Sequence, residues 1–178
     1  MSEKEIKNRN NKKQKKMKTK ITLMVTMMVM AISAAAMPFS DARDNALFLS
    51  DKMAYELNLT ESQYEAAFEI NLDYLLNIDD ESDVFGYAWT IRNRDMKQVL
   101  SDWQYANYEA REYFSRPFSL NDEGCALSVY GMYNQGEIFM EQPAVILSYQ
   151  GGHSQMEGSY YAGCQIDKPL PPMYLGQK

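Results

Sequence analysis

Nucleophilic chemistry needs a Ser or Cys, a base within reach and a third group to orient that base. The chain has a single histidine, His153, in the run Gly151-Gly152-His153-Ser154. Ser154 is its neighbour rather than a group placed for attack, so a histidine satisfied within a turn is the simpler reading. The acidic run Asp79-Asp80-Glu81 with Asp83 could attract Ca2+, but it lacks the alternating ligands and the glycine of a dedicated calcium loop. A solvated connection between helices explains it better. Carboxylate pairs suited to glycoside chemistry can be drawn from 24 Asp and Glu almost anywhere, so they carry no information. No glycine-rich phosphate cradle and no Cys-x-x-Cys pair occurs. The expectation is a protein without catalytic residues, metal ligands or cofactor. The two cysteines, Cys125 and Cys164, are expected to pair if the compartment is oxidising. Closing that loop would contribute on the order of 3–4 kcal/mol, and two buried free thiols are the alternative.

What must position any functional surface is a helical first half. Eight of nine glycines and five of six prolines lie at or beyond Pro117. Upstream of it, Ala46, Leu49, Met53 and Leu57 recur at intervals of three and four and predict a helix over 44–57. A second helix is expected over 61–77, with Tyr64, Phe68, Leu72 and Leu75 on one side. A third is expected over 91–100 and a fourth over 102–114, stopped by Arg116-Pro117.

One phrase occurs twice, as Leu59-Thr60-Glu61-Ser62-Gln63-Tyr64 and as Leu100-Ser101-Asp102-Trp103-Gln104-Tyr105. Thr60 and Ser101 stand at N-cap positions, and Gln63 and Gln104, three residues on, complete capping boxes. Leu59 with Tyr64, and Leu100 with Tyr105, have the spacing of a hydrophobic staple. Glu61 and Asp102 face the positive end of each helix dipole. Two such starts, each following a helix after a very short connection, predict two helix-turn-helix hairpins packed together to hide their apolar stripes. The fold class expected is mainly α, with about four helices over 37–117 and a Gly/Tyr/Pro-rich extension over 118–178.

The phrases at 59–63 and 100–104 resemble the LTxxQ motif of the Spy/CpxP-like family of exported bacterial envelope proteins. The first copy matches fully, and the second has Ser101 in place of Thr. The resemblance covers about residues 44–116. It implies a small all-helical, hairpin-built fold that works as a homodimer with an exposed concave face. It further implies a role in envelope stress, either as a chaperone that needs no ATP or as an adaptor of a sensor kinase, with unfolded or envelope proteins as partners. On that reading Tyr64, Phe68, Leu72, Trp103, Tyr105 and Tyr108 are candidates for core or for client contact. Arg92, Arg94, Lys97, Arg111 and Arg116 could form a basic strip, although a solvated flank is the simpler expectation for cations at such spacing.

In the extension, 126–130 and 144–149 are β-prone, and Gly151-Gly152 invites a turn. Tyr130, Tyr133, Phe139, Tyr149, Tyr160 and Tyr161 would either pack on the helices or form a recognition surface, because Tyr supplies large contact area at low entropic cost. This gives a competing function, an envelope structural or adhesion-like interaction module that works through its C-terminal segment.

The amino terminus bears on location. Nine Lys and Arg against two Glu occupy the first twenty residues, followed by the uncharged run 21–36 ending Ser33-Ala34-Ala35-Ala36. This is the pattern of a removable secretory leader, with cleavage after Ala36, or less regularly after Ala42. Sixteen apolar residues span about 24 Å as a helix, short of a hydrocarbon core of roughly 30 Å, so an uncleaved anchor is the weaker alternative and the only membrane contact expected. Half of the 18 Lys and Arg, but only two of the 24 Asp and Glu, fall in that leader. The remainder therefore carries a net charge near −13, which repels phosphate backbones and excludes nucleic acid as a partner.

Overall fold

A computed structural model describes residues 37–121 and 124–172. The expected leader, with its cleavage site after Ala36, lies outside the described residues. Among the described residues five helices, α1 (Phe39–Leu57), α2 (Glu61–Leu76), α3 (Tyr87–Val99), α4 (Asp102–Ala110) and α5 (Glu112–Ser115), precede an antiparallel ribbon of β1 (Phe118–Asn121) and β2 (Gly124–Leu127). In the ribbon Phe118 is opposite Leu127 and Ser119 opposite Ala126. Four 3-10 turns follow, at Ser128–Gly131, Ala144–Leu147, His153–Gln155 and Tyr160–Gly163. The protein is mainly helical, with its short β structure confined to the extension, as expected. Among the described residues no helix is long and apolar enough to cross a membrane.

The α1 stripe of Ala46, Leu49, Met53 and Leu57 is fully buried, and so are Phe68, Leu72 and Leu75 of α2. Each such side chain removed from water stabilises the fold by about 1.5–3 kcal/mol. The two helices join through Asn58, whose left-handed backbone (φ 50°) ends α1 while its N–H donates to the Ala54 carbonyl. Asn tolerates this conformation because its short polar side chain can bond locally.

Both expected capping boxes form, at Thr60 with Gln63 and at Ser101 with Gln104. They are also one structure. Gln63 Nε2 donates to Gln104 Oε1 at 2.7 Å, and Gln104 Nε2 returns a bond to Gln63 Oε1 at 3.0 Å. Each amide oxygen still accepts its own cap N–H, from Thr60 at 3.1 Å and Ser101 at 3.0 Å. The remaining amide hydrogens cross over: Gln63 donates to the Val99 carbonyl at 3.0 Å, and Gln104 to that of Leu57 at 3.1 Å. Each glutamine thus caps the start of its own helix and the end of the helix before the other. Both side chains are completely buried, and every donor and acceptor on them is used.

Helix limits differ from expectation where exposed residues open or close a helix. α1 starts at Phe39 after Pro38, and α3 starts at Tyr87, where Gly86 follows a turn closed by its N–H on the Asp83 carbonyl. The single helix expected over 102–114 is broken at Arg111, whose backbone is extended (φ −106°, ψ 96°). There Arg111 Nε donates to Glu56 Oε2 of α1 at 2.7 Å, and the break turns Phe114 into the core, where it is fully buried.

The β-prone segments are corrected in part. Only Ala126 and Leu127 join a strand, and 144–147 is a 3-10 turn. A lone strand there would leave its backbone groups unpaired. The turn pairs them locally, Ile146 N–H to the Pro143 carbonyl at 3.2 Å and Tyr149 N–H to Val145 at 2.9 Å, while Ile146 enters the core.

The expected Cys125–Cys164 disulfide is not present. Cys125 is buried on β2, Cys164 is exposed, and both are free thiols. Burial, with the Glu81 charge as a lesser cause, pushes the Cys125 thiol up to about 12, so it is held as an unreactive thiol. Cys164 ends the Tyr160–Gly163 turn with its Sγ on the Tyr160 carbonyl at 3.5 Å.

Two outcomes follow. Gln104→Ala strands the Ser101 N–H, the Leu57 carbonyl and one face of Gln63, and should lower stability by about 2–4 kcal/mol. Gln63→Ala should do the same, and the double variant should cost less than the sum of the two. Urea unfolding of the three variants measures this, and fully additive effects would contradict a shared pair. In a thiol-alkylation time course under native conditions, Cys164 should react promptly and Cys125 only on unfolding. An intact mass showing both thiols oxidised would contradict the free-thiol arrangement.

Candidate functional site

Where α2, α3 and the extension meet, they leave a cleft of about 270 Å3. Its position follows from how acidic side chains on the helices capture backbone groups of the extension. Asp73 of α2 accepts the Tyr149 hydroxyl and the Gly152 N–H on Oδ1, each at 2.9 Å, and the Ser154 N–H on Oδ2 at 2.7 Å. Gly151 takes φ +94° there. A Cβ on it would come within 3.0 Å of the Leu76 side chain and 3.2 Å of Asp73 Oδ1, so the close approach requires glycine.

One helical turn earlier, Glu69 Oε2 meets the Tyr161 hydroxyl at 3.0 Å and His153 Nδ1 at 3.1 Å. The His153 ring stacks on Tyr160 with centroids 3.6 Å apart. His153 is thus held in a turn as expected, with its Nδ1 engaged by a carboxylate. Burial pushes the Glu69 carboxyl above its ordinary value, with Tyr161 and His153 pulling the other way. Burial also raises the Tyr161 phenol, and the Glu69 charge adds to it.

α1 holds the middle of the extension in the same manner. Asp51 accepts the N–H groups of Phe139 and Met140 at 3.0 and 2.8 Å. Lys52, fully buried, pairs with Asp51 at 2.8 Å and donates to the Glu137 carbonyl. The Lys52 ammonium lies 3.6 Å from the centroid of Phe139 and 4.6 Å from that of Phe48. Glu56 collects Arg111, the Tyr113 hydroxyl at 2.8 Å and the Tyr133 hydroxyl. A carboxylate paired with N–H or phenol donors in this way makes charge-assisted bonds, roughly twice as strong as neutral ones.

The cleft wall holds the most unusual side chain. Arg92, expected on a solvated flank, is 1 % exposed and is corrected to a core position. Its Nε donates to Asn71 Oδ1 at 2.8 Å, and its Nη1 to the Tyr108 hydroxyl at 2.7 Å. Those acceptors are fixed in turn, since Asn71 donates to Ser50 Oγ at 2.8 Å and Tyr108 to Asn93 Oδ1 at 2.6 Å. The third nitrogen, Nη2, is buried without a hydrogen-bond partner. The four ion pairs among the described residues join Lys52 to Asp51, Arg94 to Asp95, Arg111 to Glu56 and His153 to Glu69. Arg92 is in none of them. Its support is the Tyr74 and Tyr108 rings, 5.4 and 5.6 Å from the guanidinium carbon.

The other cations of the expected strip are scattered. Arg94 pairs with Asp95, Arg116 sits 4.2 Å over the Phe85 ring, and Lys97 is 5.7 Å from Tyr105. The acidic run at 79–83 forms a turn that caps itself. Asp83 Oδ2 accepts the Asp79 and Asp80 N–H groups at 3.1 and 3.2 Å. Asp80 accepts the hydroxyl and N–H of Ser82, which hold its carboxyl below the usual range. Among the described residues no group of three His, Cys, Asp or Glu is placed to hold a metal.

Of the residues expected at core or client surface, Tyr64, Phe68, Leu72 and Tyr108 are at most 3 % exposed and belong to the core. Trp103 and Tyr105 are half-buried. The Trp103 indole N–H donates to the Pro169 carbonyl at 3.3 Å. Sequence reasoning missed Asp51, Glu56, Glu69 and Asp73, and placed Arg92 at the surface rather than in the core. The available signal was their position inside or beside apolar stripes, Glu69 and Asp73 being one turn apart on a helix that otherwise reads as core.

Comparison of the chain with family models, with curated proteins and with solved structures finds no match.

Glu69 generates a pH prediction. Its folded carboxyl lies above the ordinary 4.5, so between those values the native state binds more protons than the unfolded state. Its contribution to stability is full below 4.5 and is lost as pH rises through the folded value. In urea titrations from acid to neutral pH, the parent chain should lose stability relative to Glu69→Gln as pH rises above about 4.5. A constant difference across the range would refute the assignment.

Proposed function

We propose that this chain is an exported, non-enzymatic binding protein that recognises its partner at the cleft between α2, α3 and the C-terminal extension. The observation that carries the reading is the cleft itself, a concave space of about 270 Å3 walled by α2, α3 and the extension and lined by Asp73, Asp79, Asp83 and Asp95. Concave sites with a few convergent polar groups are where proteins take ligands. The basic and apolar leader pattern supports export.

Of the two roles implied by the resemblance to the Spy/CpxP-like family, an envelope adaptor needs only a docking site of this kind. A chaperone for unfolded clients needs an open apolar face, and the helix stripes are buried in the core. Most of the large exposed apolar side chains, such as Met132, Leu147 and Met156, stand along the extension, with Phe39, Tyr55 and Tyr87 on helices. They favour the alternative in which residues 118–178 share in recognition. With a net charge near −13 outside the leader, the complementary partner segment is cationic.

Fluorescence anisotropy with labelled short peptides of graded charge tests this. Cationic peptides should bind and anionic ones should not, with affinity falling roughly tenfold as salt rises from about 50 to about 300 mM. Stoichiometric suppression of an unfolding client's aggregation, with no peptide bound, would overturn the cleft reading in favour of the chaperone.

A further inference from the structure

Away from the cleft, the second half of α1 and the middle of the extension bring three aromatic rings together at the surface. The Tyr55 and Phe139 centroids are 5.0 Å apart, and those of Phe139 and Tyr133 are 5.7 Å apart. Two of the rings are fixed from the protein side. The Phe139 N–H is held by Asp51 at 3.0 Å and its ring by the Lys52 ammonium, 3.6 Å from the centroid, while the Tyr133 hydroxyl donates to Glu56. Tyr55 rests on this base through Phe139, its one ring contact among the described residues. Even so, Tyr55 is 59 % exposed and Phe139 43 %. None of the three rings lines the cleft.

The surroundings of this ledge carry one sign of charge. From 124 to 167 the chain has no Lys or Arg, against Glu137, Glu141, Glu157 and Asp167. Glu137 and Glu141 are exposed, and each stands two residues from Phe139, which keeps its Cα within about 7.6 Å of the Phe139 Cα. The cations tied to the same cluster are already committed: Lys52 pairs with Asp51, and Arg111 with Glu56. An anionic partner is repelled here, and an uncharged apolar one would strip water from two carboxylates without replacing it. A cation gains from both features, the ring face and the negative surroundings. Arg suits this better than Lys, because its planar, weakly hydrated guanidinium stacks on aromatic faces.

We infer that the Tyr55–Phe139 ledge is a docking surface for a basic segment of a partner protein, with an Arg guanidinium stacked on Tyr55 and neighbouring cations facing Glu137 and Glu141. This goes beyond the cleft reading and adds a second surface that does not depend on it.

Fluorescence anisotropy of the full chain with a labelled Gly-Arg repeat peptide tests the inference, beside the same peptide carrying Lys or citrulline, the neutral isostere of Arg. The Arg peptide should bind most tightly, and the citrulline peptide about tenfold or more weaker. Tyr55→Gln, which keeps a good helix former at an exposed position, should weaken the Arg peptide about threefold or more and reduce its advantage over Lys. Tyr55→Phe should retain both, and Glu141→Gln should weaken binding without moving the melting temperature. Equal binding of the citrulline peptide, or a Tyr55→Gln variant that binds like the parent, would overturn the inference. If Tyr55→Gln binds like the parent while Asp79→Asn, on the cleft rim, binds more weakly, the cleft reading stands and this inference falls. Weakening by both variants supports both surfaces. If the parent binds no cationic peptide, both readings fall. Sedimentation that shows a dimer dispersed by Tyr55→Gln would assign the ledge to a second copy of the chain and also overturn the inference.

Discussion

Two side-chain amides, Gln63 and Gln104, hold four helix ends at one point in the interior. Helix termini leave backbone donors and acceptors without partners, and burying them without compensation would cost about 1–3 kcal/mol each. Here the ends of α1 and α3 and the starts of α2 and α4 are brought together so that two amides satisfy one another and the strays of all four. That fixes how the first hairpin sits on the second, and so sets the face of α2 that the extension and α3 share. The cleft and the position of Arg92 follow from it.

On that helical frame the extension is secured mainly by carboxylates. Asp51, Glu56, Glu69 and Asp73 all stand on α1 or α2, and all face N–H or hydroxyl groups contributed from beyond residue 110. A segment with little regular structure has backbone donors to spare, and acids on a neighbouring helix are the natural acceptors for them. A strongly acidic chain can thus form a close interior: several of its carboxylates are spent on internal bonds, and others, such as Asp41, Asp44, Glu61 and Asp102, stay exposed on the helices.

The first half of the protein was largely legible because its devices are local. A capping box lies within four residues, and a stripe repeats along its own helix, so Thr60, Gln63, Ser101 and Gln104 announced helix starts without reference to anything distant. What the pattern did not reveal was that the two boxes share their glutamines, a relation across 41 positions. The remaining differences have the same origin. Arg92 reads as surface by residue type, and only the convergence of Asn71, Tyr108 and Tyr74 from other elements makes its burial tolerable. Cys125 and Cys164 suggested a bridge by compartment and number alone, whereas the extension is fastened through Asp73 and Glu69 and places the two thiols in a core strand and on the surface. β propensity at 144–147 gave way because no neighbouring strand edge was there to pair with.

The enclosure of Lys52 bears on the order in which the molecule can be completed. Synthesis proceeds from the amino terminus, and the carbonyl that receives this ammonium belongs to Glu137, 85 positions later. Until that stretch docks, the Lys52 ammonium has neither this carbonyl nor the Phe139 ring beneath it, so its enclosure is completed only when the extension closes over α1.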